Sequence, residues 1–220
     1  SQMFLTNLTV SDNDQLSALN GLEGLNSVDG LLSITDNALL GSLSALSSLQ
    51  AIGSPPTPGI PVTSGGLQIE RNAALGNLDG LYGIHSITGD LTIIENGSLQ
   101  HLNGLTYLQS VSGSVTIDNN AGLLVLDDGG TSTPGSGGLG NLQTVGGDLV
   151  ISSNPRLADL TGLGHLALVG QELRIDTNIG LHSLCGLSDF EMTGPMLLTL
   201  QTTDLTITGN SDLMDICDMY

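Results

Sequence analysis

Three carboxylates, Asp148, Glu172 and Asp204, each stand immediately before a leucine that opens an L-x-I triplet. If the phrase they belong to is stacked on itself, these side chains are stacked too, and like charges at a strand spacing repel. A bound Ca²⁺, which favours several oxygen ligands, would relieve that repulsion. The alternative is a solvated acidic edge, and no recognised calcium motif is present. The same test of shared position removes other chemistry. His85, His101, His165 and His182 fall at four different places in the phrase, so neither a zinc site nor a histidine-based catalytic centre is expected. There is no Lys to act as a nucleophile or Schiff base, and no Ser-His-Asp arrangement can be placed. The chain reads as a non-enzyme with no cofactor, Ca²⁺ being the one exception left open.

The phrase itself must position anything that functions. Counted from the first apolar residue of each triplet, copies begin at Leu8, Leu32, Leu67, Leu91, Val115, Leu149, Leu173 and Leu205. The steps are 24, 35, 24, 24, 34, 24 and 32, a 24-residue unit with three insertions. The sixth residue is always Asn: Asn13, Asn37, Asn72, Asn96, Asn120, Asn154, Asn178 and Asn210. The ninth is always Leu, the twelfth Leu or Ile, and Gly recurs just before the next leucine at Gly21, Gly80, Gly104, Gly162 and Gly186.

An apolar residue at every third position drifts around an α-helix instead of keeping to one face. The L-x-I triplet alternates as a strand does, and the LxxLxxLxxV run that follows suits extended or 3₁₀-like turns with every third side chain inward. Each copy can bury its leucines only between neighbours. The fold expected is mainly β: one right-handed parallel β-solenoid spanning 1–220, of about eight 24-residue leucine-rich rungs, roughly 38 Å long at the usual strand spacing. An inward Asn at each corner would bond backbone groups and the Asn of the next rung, forming an internal ladder.

On these residues, Asn7 to about Cys217, the chain resembles the receptor L-domain type of leucine-rich β-solenoid. That type is similar to the ligand-binding lobes of insulin-receptor and epidermal-growth-factor-receptor ectodomains. In texture it is also similar to secreted L-x-I-x-x-N-x-x-L-x-x-L-x-G-L repeat proteins of protists and bacteria. The resemblance implies the fold. Growth-factor receptors flank such lobes with cysteine-rich modules, which this sequence lacks, so hormone binding is not carried over.

Composition bounds the partners. Of 220 residues, 22 are acidic and three are basic, all Arg, for a net charge of -19. Nucleic acid and anionic membrane surfaces both need Lys and Arg and are excluded. Cys185 and Cys217 are each the thirteenth residue of their copy. Stacking sets them one above the other, within the ~4.4 to 6.8 Å Cα range of a disulfide, and an extracellular or cell-surface location follows.

The insertions are 54–64, 129–138 and 191–203. The first two are rich in Pro, Ser, Thr and Gly, the composition of O-glycosylated segments, with Ser54, Thr57, Thr131 and Thr133 as acceptors. Sequons occur at Asn7 and Asn96. Asn96 belongs to the inward column, so Asn7 is the better acceptor.

The primary expectation is an extracellular structural or adhesive module of a glycosylated surface, wall or filament assembly. Both ends look uncapped, and exposed solenoid ends stack on another copy or on neighbouring extracellular proteins. The alternative is a receptor-type ectodomain lobe binding a protein or a glycan, with Tyr82 and Tyr107 its available aromatics. A third reading is ice binding, from the outward column Thr9, Ser33, Gln68, Thr92, Thr116, Val150, Arg174 and Thr206, although Gln68 and Arg174 interrupt it.

Overall fold

The structure is a computed structural model that describes residues 3–53, 65–127, 137–187 and 204–215. The L-x-I triplets form the longer strands: Leu8–Ser11, Leu32–Thr35, Leu67–Glu70, Leu91–Ile94, Val115–Asp118, Leu149–Ser152, Glu172–Asp176 and Asp204–Thr208. They make one eight-stranded sheet in sequence order. Every neighbouring pair is parallel and in register, so that Leu91 lies beside Val115 and Ile93 beside Ile117. Alternation does what the sequence requires of it: Leu91 and Ile93 are fully buried while Thr92 between them is half-buried.

A second sheet runs along the other side of the repeat. Its seven parallel strands are Met3–Leu5, Leu25–Val28, Ala51–Ile52, Ser86–Ile87, Ser110–Val111, Thr144–Val145 and Leu168–Val169. The sequence reading placed only turns here. Most of these strands have two residues, too few to show alternation, but a β-branched residue ends six of them at one fixed place: Val28, Ile52, Ile87, Val111, Val145 and Val169. Between the two sheets the leucine run makes 3₁₀ turns at Ser44–Leu46, Asn103–Leu105, Thr161–Leu163 and Cys185–Leu187, and the leucines of all the elements join one buried cluster extending from Leu19 to Leu187.

The corner after each long strand is turned by a residue of positive φ. Asp12, Asp36, Arg71, Glu95, Asn119, Ser153 and Thr177 lie between 53° and 58°, and Gly209 holds the equivalent place at 67°. For non-glycine residues this conformation costs ~1 kcal/mol or more. It is held because the next residue, the Asn, is fixed from several sides.

The glycines before the leucines have a steric cause. A methyl group on Gly104 would lie 1.8 Å from the carbonyl oxygen of Leu78 in the preceding repeat, so Gly104 lets its turn nest there, whereas a methyl on Gly21 would meet nothing and Ala45 fills the same place in the second repeat.

The insertion near residue 130 enters one of these turns without opening it. In the preceding repeat the N–H of Leu105 donates to the carbonyl of Leu102 at 2.8 Å. After the insertion the N–H of Leu139 donates to the carbonyl of Leu126 at 2.9 Å. Among the described residues no helix is long and apolar enough to cross a membrane.

Candidate functional site

Of the three carboxylates weighed between a Ca²⁺ site and a solvated acidic edge, Asp148 is engaged by backbone. At four of the corners where a short strand passes into a long one, the side chain before the long strand accepts an N–H from the following repeat. Asn7 Oδ1 takes the N–H of Leu31 at 2.8 Å, Asp90 Oδ1 that of Ser114 at 2.8 Å, and Asp148 Oδ1 that of Glu172 at 2.9 Å. Ser114 does the same through its hydroxyl, accepting the N–H of Asp148 at 3.1 Å. Asp148, Glu172 and Asp204 do stack, but among the described residues no three His, Cys, Asp or Glu side chains converge as metal ligands. The side chains of Asn7, Asp90, Ser114 and Asp148 anchor backbone from this place, which Leu31 and Gly66 occupy in the second and third repeats without doing so.

The corner asparagines are the most heavily bonded side chains. The N–H of each donates to the Oδ1 of the next, from Asn13 to Asn37 through Asn72, Asn96, Asn120, Asn154 and Asn178 to Asn210, at 2.9 to 3.2 Å. Their Nδ2 groups donate backward, as from Asn72 to the carbonyl of Ile34 at 2.9 Å and to that of Glu70 at 3.0 Å. Asn96 is fully buried, and its Nδ2, the atom a glycan would occupy, is committed to the carbonyls of Ile69 and Ile94. Asn7 is exposed, with only its Oδ1 engaged by a described residue. Ser54, Thr57, Thr131 and Thr133 lie outside the described residues.

Cys185 is not a free thiol. Cys217 lies outside the described residues, but the parallel bridge of Ser183 with Asp215 and the bond from the N–H of Leu184 to the carbonyl of Asp215, 3.0 Å, align the two chain segments that carry the cysteines.

The outward face of the long sheet is polar and knotted with charge. Arg71 donates to both oxygens of Asp36, at 2.6 and 2.8 Å, and to Glu70 at 2.8 Å. The Arg71 guanidinium holds the Asp36 carboxyl below its usual range. Arg174 donates to Asp176 at 2.8 Å; with hydroxyl donation from Thr208 and Thr177, this brings the Asp176 carboxyl down to about 2. Gln68 accepts from Ser33 at 2.9 Å and donates to Glu70 at 2.7 Å. These bonded groups break the threonine column into short runs.

Beside this face lies a cleft lined by Leu31, Gln68, Thr88, Asp90, Thr92 and Ser112 over a floor of Gly66, Gly89 and Gly113. Its floor is open because Cβ atoms cannot fit there: one on Gly89 would lie 2.3 Å from the carbonyl oxygen of Gly65. The sequence carries a glycine column at Gly30, Gly65, Gly89, Gly113 and Gly147, two residues before the long strands, that marks this edge.

Two exposed tyrosines stand on adjacent repeats, apart from the exposed Phe4 of the first strand. Tyr82 is 42% exposed and Tyr107 is 53% exposed. His85 stacks on Tyr107, with ring centroids 5.9 Å apart and planes 12° from parallel. The Tyr82 hydroxyl donates to Asp79 at 2.7 Å; burial, and then the Asp79 carboxylate, push that phenol up to about 12. Comparing the four histidines only with one another missed that one of them pairs with a tyrosine of the next repeat. Residues 61–162, the stretch holding the tyrosines and most of the cleft, match the family model described as the receptor L domain. Over that stretch the chain is receptor L-domain-like.

No curated protein and no solved structure matches it. The L-domain-like stretch therefore carries two outward features that architecture does not require, the Tyr82/His85/Tyr107 cluster and the polar cleft.

Proposed function

We propose that the protein is a receptor-type ligand-binding lobe of an extracellular molecule, without enzymatic activity. The observation that carries this reading is the receptor L-domain match over 61–162, the part of the chain where exposed aromatics and the cleft occur together. It favours the lobe over the structural or adhesive module that the repeat alone suggested. The architecture proposed with it is a single right-handed solenoid of eight rungs. An internal asparagine ladder, supported by the Asn13 to Asn210 bonds, and a Cys185–Cys217 disulfide, supported by the Ser183–Asp215 bridge, hold it together. Glycosylation at Asn7 and in the Pro-rich insertions fits an extracellular setting. Partners are neighbouring extracellular proteins or glycans.

The test is to display the purified chain to panels of extracellular proteins and of oligosaccharides, alongside Tyr82→Ala/Tyr107→Ala and Gln68→Ala/Thr92→Ala double variants. A saturable partner lost in one double variant and kept in the other is the expected result. A chain that binds nothing on either panel, and forms filaments under the electron microscope, returns the reading to an assembly module.

A further inference from the structure

The outward side of the short sheet carries a row of polar side chains, three of them glutamine amides that the fold does not use. Asn26, Gln50, His85, Gln109 and Gln143 each stand two residues before the β-branched residue that ends a short strand. Their backbones hold them in line. The N–H of Gln50 donates to the carbonyl of Asn26, that of Gln109 to His85, and that of Gln143 to Gln109, each at 2.9 Å, and the pairing of Ile52 with Ile87 brings Gln50 beside His85. All but Asn26 are exposed. The amides of Gln50, Gln109 and Gln143 make no hydrogen bond to any described residue. Tyr107, with His85 against it, stands at the centre of the row.

We propose that this row binds a neutral, linear oligosaccharide laid across the short strands, with Tyr107 as the stacking platform. The inference rests on the reading of the chain as a ligand-binding lobe and names its ligand class. An amide both donates and accepts, as a sugar hydroxyl does, and a row of them spaced at ~4.8 Å offers a polar pair for each ring of an extended glycan. An aromatic face supplies the complementary surface for the C–H side of one ring. Charge decides against an acidic glycan: the chain carries -19, and two of its three Arg are held by carboxylates. A protein partner is disfavoured because its hot spots need a desolvated apolar centre. Here Leu31, Leu39, Ile179, Leu205 and Met214 belong to other parts of the repeat, and Phe4, on the first short strand beside Ser27, lies past the Asn26 end of the row, with the Asn26 and Gln50 repeats between it and His85.

The experiment is calorimetric titration of the whole chain with linear hexasaccharides of glucose, mannose and xylose, and with oligogalacturonate as the acidic counterpart. Binding of at least one neutral hexasaccharide is expected, weaker for its trisaccharide and absent for oligogalacturonate. Tyr107→Ala should lower affinity about tenfold, the scale of one aromatic contact. Gln109→Ala/Gln143→Ala, at exposed positions that carry no packing, should do the same with an unchanged thermal midpoint. The cleft variant Gln68→Ala/Thr92→Ala should bind as the parent does. No neutral binding at millimolar sugar, equal binding of oligogalacturonate, or loss only in the cleft variant would overturn the proposal. If the sugars fail while a protein partner is found that the cleft variant loses, the glycan falls and the ligand-binding lobe stands; if both panels are blank, both fall.

Discussion

The Oδ1 of Asn120 receives the backbone N–H of Asn96 at 3.0 Å, across 24 residues of sequence. Asn120 also donates from its Nδ2 to the carbonyls of Ile93, at 2.9 Å, and Asp118, at 3.1 Å. Asn120→Ala would leave these groups without partners in a buried corner, where each orphan costs ~1 to 3 kcal/mol. The expected loss in denaturant unfolding is about 3 to 5 kcal/mol. Asn13→Ala, at an exposed corner beside the same kind of bonds, should lose about 1 kcal/mol or less. Equal losses at the two sites would show that the asparagines are not acting through burial.

A methyl on Gly104 collides with backbone of the preceding repeat, whereas one on Gly97 meets nothing within 4 Å. Gly104→Ala should therefore cost about 3 kcal/mol or prevent folding, as overpacking against an immovable atom does. Gly97→Ala should stay within about 0.5 kcal/mol of the parent. Thermal midpoints of the pair measure nesting of the turns against the ordinary effect of an added methyl.

Glu95 sits at φ 57° on an exposed corner. Glu95→Gly removes a strain of ~1 to 2 kcal/mol and adds ~0.5 to 1 kcal/mol of unfolded-state entropy. The net expectation is a slight gain, about 2 °C in midpoint for a chain of this size. A fall in midpoint would mean that the corner is not strained.

Asp176 titrates at about 2 in the folded chain, against ~3.9 unfolded. A depressed carboxyl stabilises above its unfolded value and loses that contribution as pH falls toward its folded value. The Asp176 contribution should thus be complete above pH ~5 and fall away progressively toward pH ~1, with Asp36 adding in the same direction. Because the net charge of -19 repels itself, the whole chain can gain stability on mild acidification before this loss sets in. The Asp176 part is isolated by difference: the midpoint gap between parent and Asp176→Asn should close progressively between pH ~5 and ~1. A gap constant over that range would refute the assignment.

The long strands were legible because their signal is local and repeated: an inward pair at Leu91 and Ile93, then an Asn three residues on. The short strands were not, since two residues carry no periodicity and only the column from Val28 to Val169 marks them. The positive-φ corner had no signature at all. Asp, Arg, Glu, Asn, Ser, Thr and Gly share no chemistry, and what they hold in common is a backbone angle imposed by neighbours. At the surface, charge spacing carried less. Asp148, Glu172 and Asp204 could be seen to share a column, but not that Asp148 points an oxygen at the N–H of Glu172. The tyrosines could be named from sequence, while their pairing with His85 and the amide row beside them needed the register of the short sheet.

The bond between Leu139 and Leu126 keeps a three-residue turn closed although thirteen positions now separate its ends. The packing of the leucines registers only where the chain departs and returns. Such a place behaves as a socket: the segment plugged into it can be lengthened, shortened or exchanged for a foreign peptide while the scaffold stays the same. The protein has in this way a site where new surface can be acquired without renegotiating its core, and where an engineer could graft an epitope at little thermodynamic cost.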